Sequence, residues 1–137
     1  MSSDIAWQVI RNNSAFLRTR KNIPKKFSVE KFNLTNTNSQ RHNGLINKKG
    51  IDVSINQKGE LAVAIKSQRK SHQPVNAVVT KTLNAKNGRS ALRKVGRIAG
   101  GYKAIHALPA QRRASQLLRS LKHKSAAKKP VTEAKAE

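Results

Sequence analysis

The chain has 137 residues, and its 29 Lys and Arg residues outnumber the six Asp and Glu residues to give a formal net charge of +23. The absence of cysteine excludes disulfides and thiolate metal sites and is typical of a reducing compartment. Apolar residues make up 36% of the chain and aromatic residues 4%, which predicts one small domain with a thin core. Such self-repulsion favours a polyanionic partner, with nucleic acid as the first candidate and a membrane surface as the second.

The first predicted element is a short amino-terminal helix. Ser2 or Ser3 can cap it, and Asp4 lies in its first turn, where a negative charge is favourable. The polar residues 12–14 end this helix, and residues 15–21 are predicted to be a strand or an extended segment. Trp7, within the helix, could stack on a base, but its apolar neighbours favour burial in the core.

Residues 27–46 have weak periodicity. The apolar residues between 27 and 34 could form a strand, whereas 35–39 is typical of a loop. The segment 41–44 is predicted to be a turn because Asn-Gly is a strong positive-φ pair. Such a turn can bring the main chain of Gly44 close to a backbone phosphate, although an ordinary turn explains the same residues.

The clearest pattern is a β-hairpin over residues 51–65. Apolar and polar residues alternate on either side of a five-residue loop in which Gly59 can adopt positive φ. The apolar residues that share one face of this hairpin are Ile51, Val53, Ile55, Leu61, Val63 and Ile65. After a projecting basic loop at 66–74, the β-branched residues of 75–83 predict a further strand.

Two basic amphipathic helices are predicted in the carboxy-terminal half. The first spans about 89–99 and is predicted to end at Gly100-Gly101; the second begins near Pro109. Their predicted apolar positions are Ala91, Leu92, Val95, Ile98 and Ala99 in the first helix, and Ala110, Ala114, Leu117, Leu118 and Leu121 in the second. We expect a single compact domain over 1–124 and a disordered basic tail over 125–137.

The basic faces of these helices are the strongest functional signal. Arg89, Arg93 and Arg97 recur every four residues, and Arg112, Arg113 and Arg119 lie on the second helix, with no acid between Leu61 and Thr132. Like charges at this spacing repel one another, and a merely solvated helix face usually mixes signs, so the pattern indicates an external anion. Arginine suits phosphate because its planar fork binds two oxygens at once. The basic loops at 18–26, 41–49 and 66–72 are a second signal of the same kind.

Other chemistry finds little support in the sequence. The four histidines are scattered and no carboxylate lies at ligand spacing, so we expect no metal site and no cofactor. Residues 96–103 resemble a phosphate-binding loop, but they end a helix and lack its lysine and hydroxyl pattern. The dispersed carboxylates indicate no catalytic residues and no small-molecule substrate, so we predict a protein that is not an enzyme.

Three stretches together resemble the eukaryote-specific large-subunit ribosomal protein number twenty-eight family, which is distinct from the bacterial family of the same number. They are WQVIRNNSAFL at 7–17, NSQRHNGLI at 38–46 and RRASQLLRS at 112–120, and the resemblance spans roughly residues 3 to 121. It implies a small α/β fold on the cytosolic large subunit, held by ribosomal RNA. The matched positions it implies as RNA contacts are Arg11, Asn12, Arg41, Asn43, Arg112, Arg113 and Arg119.

We therefore predict an α+β fold with a small, mostly antiparallel sheet centred on the hairpin, a short amino-terminal helix and two carboxy-terminal helices. The expected function is a structural constituent of the cytosolic large ribosomal subunit, assembled in the nucleolus, with ribosomal RNA and neighbouring ribosomal proteins as partners. A DNA-compacting protein is the alternative, whereas a membrane partner is not expected because the longest apolar run is only residues 61–65. The predicted RNA-binding residues are Arg11, Asn12, Arg18, Arg20, Lys21, Arg41, His42, Asn43, Lys48, Lys49, Arg69, Lys70, Arg89, Arg93, Arg97, Arg112, Arg113 and Arg119.

Overall fold

A computed structural model describes residues 2–70, 73, 75–83 and 87–127. The described elements combine three α-helices with two antiparallel sheets, which confirms the predicted α+β class. In chain order they are α1 (Ser3–Ile10), β1 (Leu17–Arg20), β2 (Ile23–Ser28), β3 (Gly50–Ile55), β4 (Leu61–Lys66), β5 (Val78–Leu83), α2 (Gly88–Tyr102), a 3-10 turn (Ala104–His106) and α3 (Ala107–Ala127). None of the helices in the described ranges is long and apolar enough to cross a membrane.

The central sheet contains the predicted hairpin. Strands β3, β4 and β5 pair antiparallel in that order, with Ile51 opposite Ile65. The loop between β3 and β4 closes with a hydrogen bond from the Asn56 N–H to the Glu60 carbonyl at 2.8 Å. Gly59 adopts a φ of 81°, as predicted, which a residue with a Cβ rarely adopts.

The core lies between this sheet and the carboxy-terminal helices, with α3 against β3 and α2 against α3. Its fully buried side chains include Ile51, Val53, Val63 and Val95. Small residues bring the helices close together, since a Cβ on Gly96 would lie 2.1 Å from Nε2 of Gln111 in α3. The predicted apolar faces of both helices are confirmed except at Leu121: the other members are buried or packed against this core, whereas Leu121 is half-buried outside it.

Strands β1 and β2 form a separate two-stranded sheet. Asn22, in the turn between them, has a φ of 64°. The alternative of a strand through 27–34 is wrong beyond Ser28. After β2 the chain turns at Phe32, which has a φ of 66°, and it returns at Asn36, whose carbonyl accepts from the Ser28 N–H at 2.9 Å.

Helix α2 runs through Gly100-Gly101 to Tyr102, so the prediction that the two glycines end it is wrong. Tertiary contacts explain the extension. The Tyr102 side chain packs against the core, and its hydroxyl donates to the Lys66 carbonyl at the end of β4. The Lys103 N–H still bonds to the Ala99 carbonyl at 2.9 Å, which completes the last turn.

Other boundaries differ from the sequence prediction. Strand β5 begins at Val78, not near residue 75, and α3 continues to Ala127, beyond the boundary expected at 124. The rest of the expected tail, 128–137, lies outside the described residues. Helix α1 is capped by Ser2 as predicted, but it buries none of its residues, so Trp7 is only half-buried and the predicted core position is wrong.

Candidate nucleic-acid interface

The arginine series of α2 lies on the outer face of that helix. Arg89, Arg93 and Arg97 are all exposed, opposite the buried residues Ala91 and Val95. The helix contains no acid to neutralise them. Helix α3 packs against the inner side of α2 at Gly96. The three arginines lie on the other side and remain exposed to solvent. The helix therefore presents three cations at intervals of one turn.

The predicted RNA contacts on helix α3 differ in their exposure. Arg112 and Arg119 are exposed on the outer face. Arg113 is half-buried. It lines a small cleft of about 230 Å³, which Glu30 and Asp52 also line. Acids within this cleft compete with a phosphate for Arg113, so the three arginines are not equivalent as candidate contacts.

The ribbon of β1 and β2 forms a second cationic surface. Arg18 and Arg20 are exposed on β1, and Lys21 is exposed in the turn that follows. Lys25 is exposed on β2. Since no acid occurs between Asp4 and Glu30 in the sequence, this ribbon is an uninterrupted positive surface on a rigid two-stranded element.

The junction between α1 and this ribbon is held by polar contacts. Lys26 donates to Oδ1 of Asn12 at 3.1 Å, and Asn38 donates to the Arg11 carbonyl at 2.7 Å. Arg11 and Asn12 are both exposed. The Arg11 guanidinium donates to Oε1 of Gln8 at 3.3 Å, which orients it along α1. Asn12 thus positions Lys26 as well as offering its own amide to a ligand.

Asn43 is the predicted contact that the fold places least favourably. Only 4% of its surface is exposed, and its amide donates to Oε2 of the buried Glu30 at 3.0 Å. Its Oδ1 accepts from the N–H groups of Leu45 and Ile46, both at 3.0 Å. These bonds occupy the side chain within the protein, so Asn43 shapes the loop.

The main-chain groups of Gly44 already have hydrogen-bond partners within the protein. Its N–H donates to Oε1 of Glu30 at 3.2 Å, and its carbonyl accepts from Nζ of Lys66 at 3.1 Å. Neither Asn43 nor Gly44 adopts positive φ, so the conformational reason given for this turn is wrong. Glycine is needed here for space: a Cβ would lie 2.0 Å from the carbonyl oxygen of Lys31.

The Glu30 cluster fixes the loop that carries further cations. Glu30 is 5% exposed and accepts hydrogen bonds from Asn33, Asn43 and the main chain of Gly44. Around it, Arg41, Lys48 and Lys49 are exposed. A buried carboxylate therefore acts as the internal anchor of a loop whose outer surface is positive.

Lys49 and the loop after β4 form a further basic region. The Lys49 ammonium lies 5.7 Å from the centroid of the Tyr102 ring, within cation–π range. Arg69 and Lys70 are exposed beyond the end of β4. Residues 71, 72 and 74 of this predicted projecting loop lie outside the described residues.

His42 differs from the arginines and lysines among the predicted contacts because its surroundings disfavour its charged form. It is half-buried beside His106, with the two ring centroids 6.4 Å apart. Burial, with the positive charges of Arg41 and Lys103, lowers the pKa of His42. It therefore contributes no cation to an interface at neutral pH.

The structure adds candidate residues that the sequence prediction did not single out. Lys25 on β2 and Lys81 on β5 are both exposed. Lys25 falls in the basic loop predicted at 18–26, and Lys81 in the strand predicted at 75–83. The charge runs could have identified Lys25, and the alternation of β5 could have identified Lys81. The anchoring role of Glu30 had little local signal, because two of its three partners, Asn43 and Gly44, are 13 and 14 residues away.

Comparison with known proteins gives a consistent result. The model of the Ribosomal L28e protein family matches residues 5–120. A Caenorhabditis elegans protein named large ribosomal subunit protein eL28 is 46% identical over 120 residues, covering 88% of this chain and 90% of the relative. Proteins of the same name from Dictyostelium discoideum and Schizosaccharomyces pombe are 35% identical over 133 residues and 29% identical over 130 residues. These two alignments cover 94% and 90% of this chain, and 97% and 96% of the relatives.

Proposed function

Because the chain belongs to the Ribosomal L28e protein family, we propose that it is a structural constituent of the cytosolic large ribosomal subunit. In the subunit it binds folded ribosomal RNA, and its assembly into the subunit takes place in the nucleolus. Backbone phosphates and the shape of the RNA are the features it reads, and no catalytic step is part of this role. Neighbouring ribosomal proteins are its second class of partner.

The observation that carries the proposal is the exposure of an arginine series on one face of a helix. Glu30 is buried, while the arginine series of α2, Arg89, Arg93 and Arg97, is exposed. The exposed cations are also held on ordered elements, with Arg18 and Arg20 on a strand. Because their backbones are ordered, the relative positions of these arginines are set before binding, so a folded polyanion with a matching surface is favoured over a flexible one.

Shape recognition is favoured over the reading of single bases. Single-stranded RNA is commonly bound by several aromatic side chains that stack on bases. Aromatic Phe, Trp and Tyr make up only 4% of this chain. Of these, Trp7 is half-buried and Tyr102 packs against the core with its hydroxyl bonded to Lys66.

Co-sedimentation with purified large ribosomal subunits stripped of this protein tests the proposal. We expect the full chain to rebind at moderate salt and to be released in steps as salt rises. An excess of generic duplex DNA should compete poorly. If duplex DNA competes as well as the subunits do, a DNA-compacting function replaces the ribosomal one.

A further inference from the structure

Among the described strands, β5 is an edge strand whose outer side has no partner. The central sheet has the order β3-β4-β5, so β5 pairs with β4 on one side only. Five of its six residues are exposed, including Val78 at 39% and Val79 at 49%. Exposed edges of this kind are templates for pairing with another strand.

The hydrogen-bond pattern identifies which groups of β5 face outwards. The Ser67 N–H donates to the Ala77 carbonyl at 2.6 Å, so these two residues form a hydrogen-bonded pair just beyond the ladder. Alternation along an antiparallel ladder then directs the main-chain groups of Val79 and Lys81 towards β4. Those of Val78, Thr80 and Thr82 point to the open edge, and in the described part of the chain no other backbone group bonds to them.

A groove adjoins this edge on the helix side of the sheet. It is an open depression of about 810 Å³ with Ile65, Val79 and Tyr102 among its lining residues. Lys49, Arg69 and Lys81 also line it, and none of the described residues that line it is acidic. The groove thus combines an apolar floor with a positive rim, directly beside unpaired strand edge.

We infer that β5 and this groove accept an extended acidic segment of a neighbouring protein, which adds to the sheet as a fourth strand. The main chain of such a segment supplies the alternating donors and acceptors that the outward groups of Val78, Thr80 and Thr82 require. Its alternate side chains enter the groove, where carboxylates meet Lys81 and Arg69, and the apolar side chains between them face the opposite side of the sheet, beside Val78. Recognition by this mode does not depend on any RNA contact.

Two other occupants fit less well. RNA presents charge but no regular series of main-chain donors and acceptors at strand spacing, so it leaves the open edge unsatisfied. A second copy of this chain would bring a net charge of +23 against the same positive rim. RNA is an outcome of the competition with an oligouridylate, and a concentration-dependent dimer of the free chain would identify the second copy as the occupant.

The direct test uses the full chain and a labelled, strand-length peptide of alternating Glu and Val. A peptide of alternating Glu and Pro has the same charge but lacks half the N–H donors of a strand, and it serves as the control. We expect the Glu-Val peptide to bind at least about fivefold more tightly, the ratio that corresponds to one net hydrogen bond. Amide exchange of Thr80 and Thr82 should slow when the Glu-Val peptide binds, whereas Val79 and Lys81 should be protected already.

Two variants separate edge pairing from charge. Thr80→Pro removes an outward N–H without removing a bond to β4, and it should weaken the Glu-Val peptide about fivefold. Lys81→Glu should weaken it by a similar factor through charge alone. Thermal melting checks that each variant folds. If Thr80→Pro does not fold, amide exchange in the unaltered chain still tests whether the peptide pairs with β5.

Several results would overturn the inference. Equal binding of the two peptides, or unchanged exchange at Thr80 and Thr82, would show that no strand is added. If an oligouridylate displaces the Glu-Val peptide and is weakened by Lys81→Glu but not by Thr80→Pro, the groove is an RNA site. Much tighter peptide binding after truncation at Ala127 would show that the chain's own carboxy terminus is the occupant.

Discussion

The side-chain amide of Asn43 donates to the carboxylate of Glu30 at 3.0 Å, and both residues are at least 95% buried. This bond joins the loop after β2 to the loop before β3, so it holds the exposed cations Arg41 and Lys48 in place. Asn43, which the sequence suggested as an RNA contact, therefore supports the loop that displays Arg41 and Lys48.

Replacing Asn43 tests this support. Asn43→Ala removes the donor to Glu30 and leaves a buried carboxylate with one partner fewer, which should lower the free energy of unfolding by about 1–3 kcal/mol. Urea denaturation measures the change. The exposed Asn13→Ala is the matched control and should stay within about 0.5 kcal/mol of the unaltered chain. If Asn43→Ala is as stable as the control but binds RNA more weakly, Asn43 is a direct contact after all.

Two glycines should respond to alanine with opposite signs. Gly44→Ala places a Cβ 2.0 Å from the Lys31 carbonyl oxygen, and the forced shift should destabilise the fold by about 1–3 kcal/mol. Gly101→Ala lies within α2 with no atom within 4 Å of the new Cβ, and should stabilise by about 0.5–1 kcal/mol. Thermal melting of both variants gives the comparison. A stabilising Gly44→Ala would contradict the close approach of the two loops.

The buried His106 should make the fold sensitive to acid. It is 4% exposed, neither ring nitrogen has a hydrogen-bond partner among the described residues, and burial together with Lys103 and His42 lowers its pKa to about 4. The unfolded chain binds this proton near pH 6.5, so the stability from the neutral ring is fully present above that pH. It falls between about pH 6.5 and 4, by no more than about 3 kcal/mol.

Urea denaturation at several pH values measures this loss. His106→Leu removes the titrating ring and should flatten the dependence over the same range. His123→Leu replaces an exposed histidine and should leave the dependence unchanged. An identical loss of stability in His106→Leu and the unaltered chain would show that another group is responsible.

The arginine series of α2 should account for a calculable part of the salt dependence of RNA affinity. Each lost phosphate contact reduces the magnitude of the slope of log affinity against log salt by about 0.7–0.9. Replacing Arg89, Arg93 and Arg97 together by Gln should therefore reduce it by about 2 to 3. Lys58→Gln, at the exposed tip of the β3–β4 loop, is the control and should leave the slope unchanged. A triple variant with the slope of the unaltered chain would place the RNA elsewhere.

The elements that the sequence predicted well are those determined by local patterns. Alternation of apolar residues around Gly59 was enough for the central hairpin, and the spacing of Val95 and its neighbours was enough for the buried face of α2. The errors occur where distant parts of the chain meet. Gly100-Gly101 remains helical because Tyr102 reaches β4.

The candidate interface shows the same division. Exposure of Arg89, Arg93 and Arg97 could be predicted, since helical spacing alone places them opposite the apolar side. The burial of Asn43 could not, because it depends on Glu30, thirteen positions earlier in the chain. Arg113 likewise differs from Arg112 only through the cleft it shares with the two acids, and no local pattern carries that information.

The most direct test of phosphate-dominated binding is the affinity of the full chain for a ribosomal RNA fragment that it protects, measured over a range of salt concentrations. If about ten phosphates are neutralised, a plot of log affinity against log salt should have a slope of roughly −7 to −9. A slope near −2 would contradict the account, because so few released counterions cannot correspond to the cations displayed on α2, α3 and the β1–β2 ribbon.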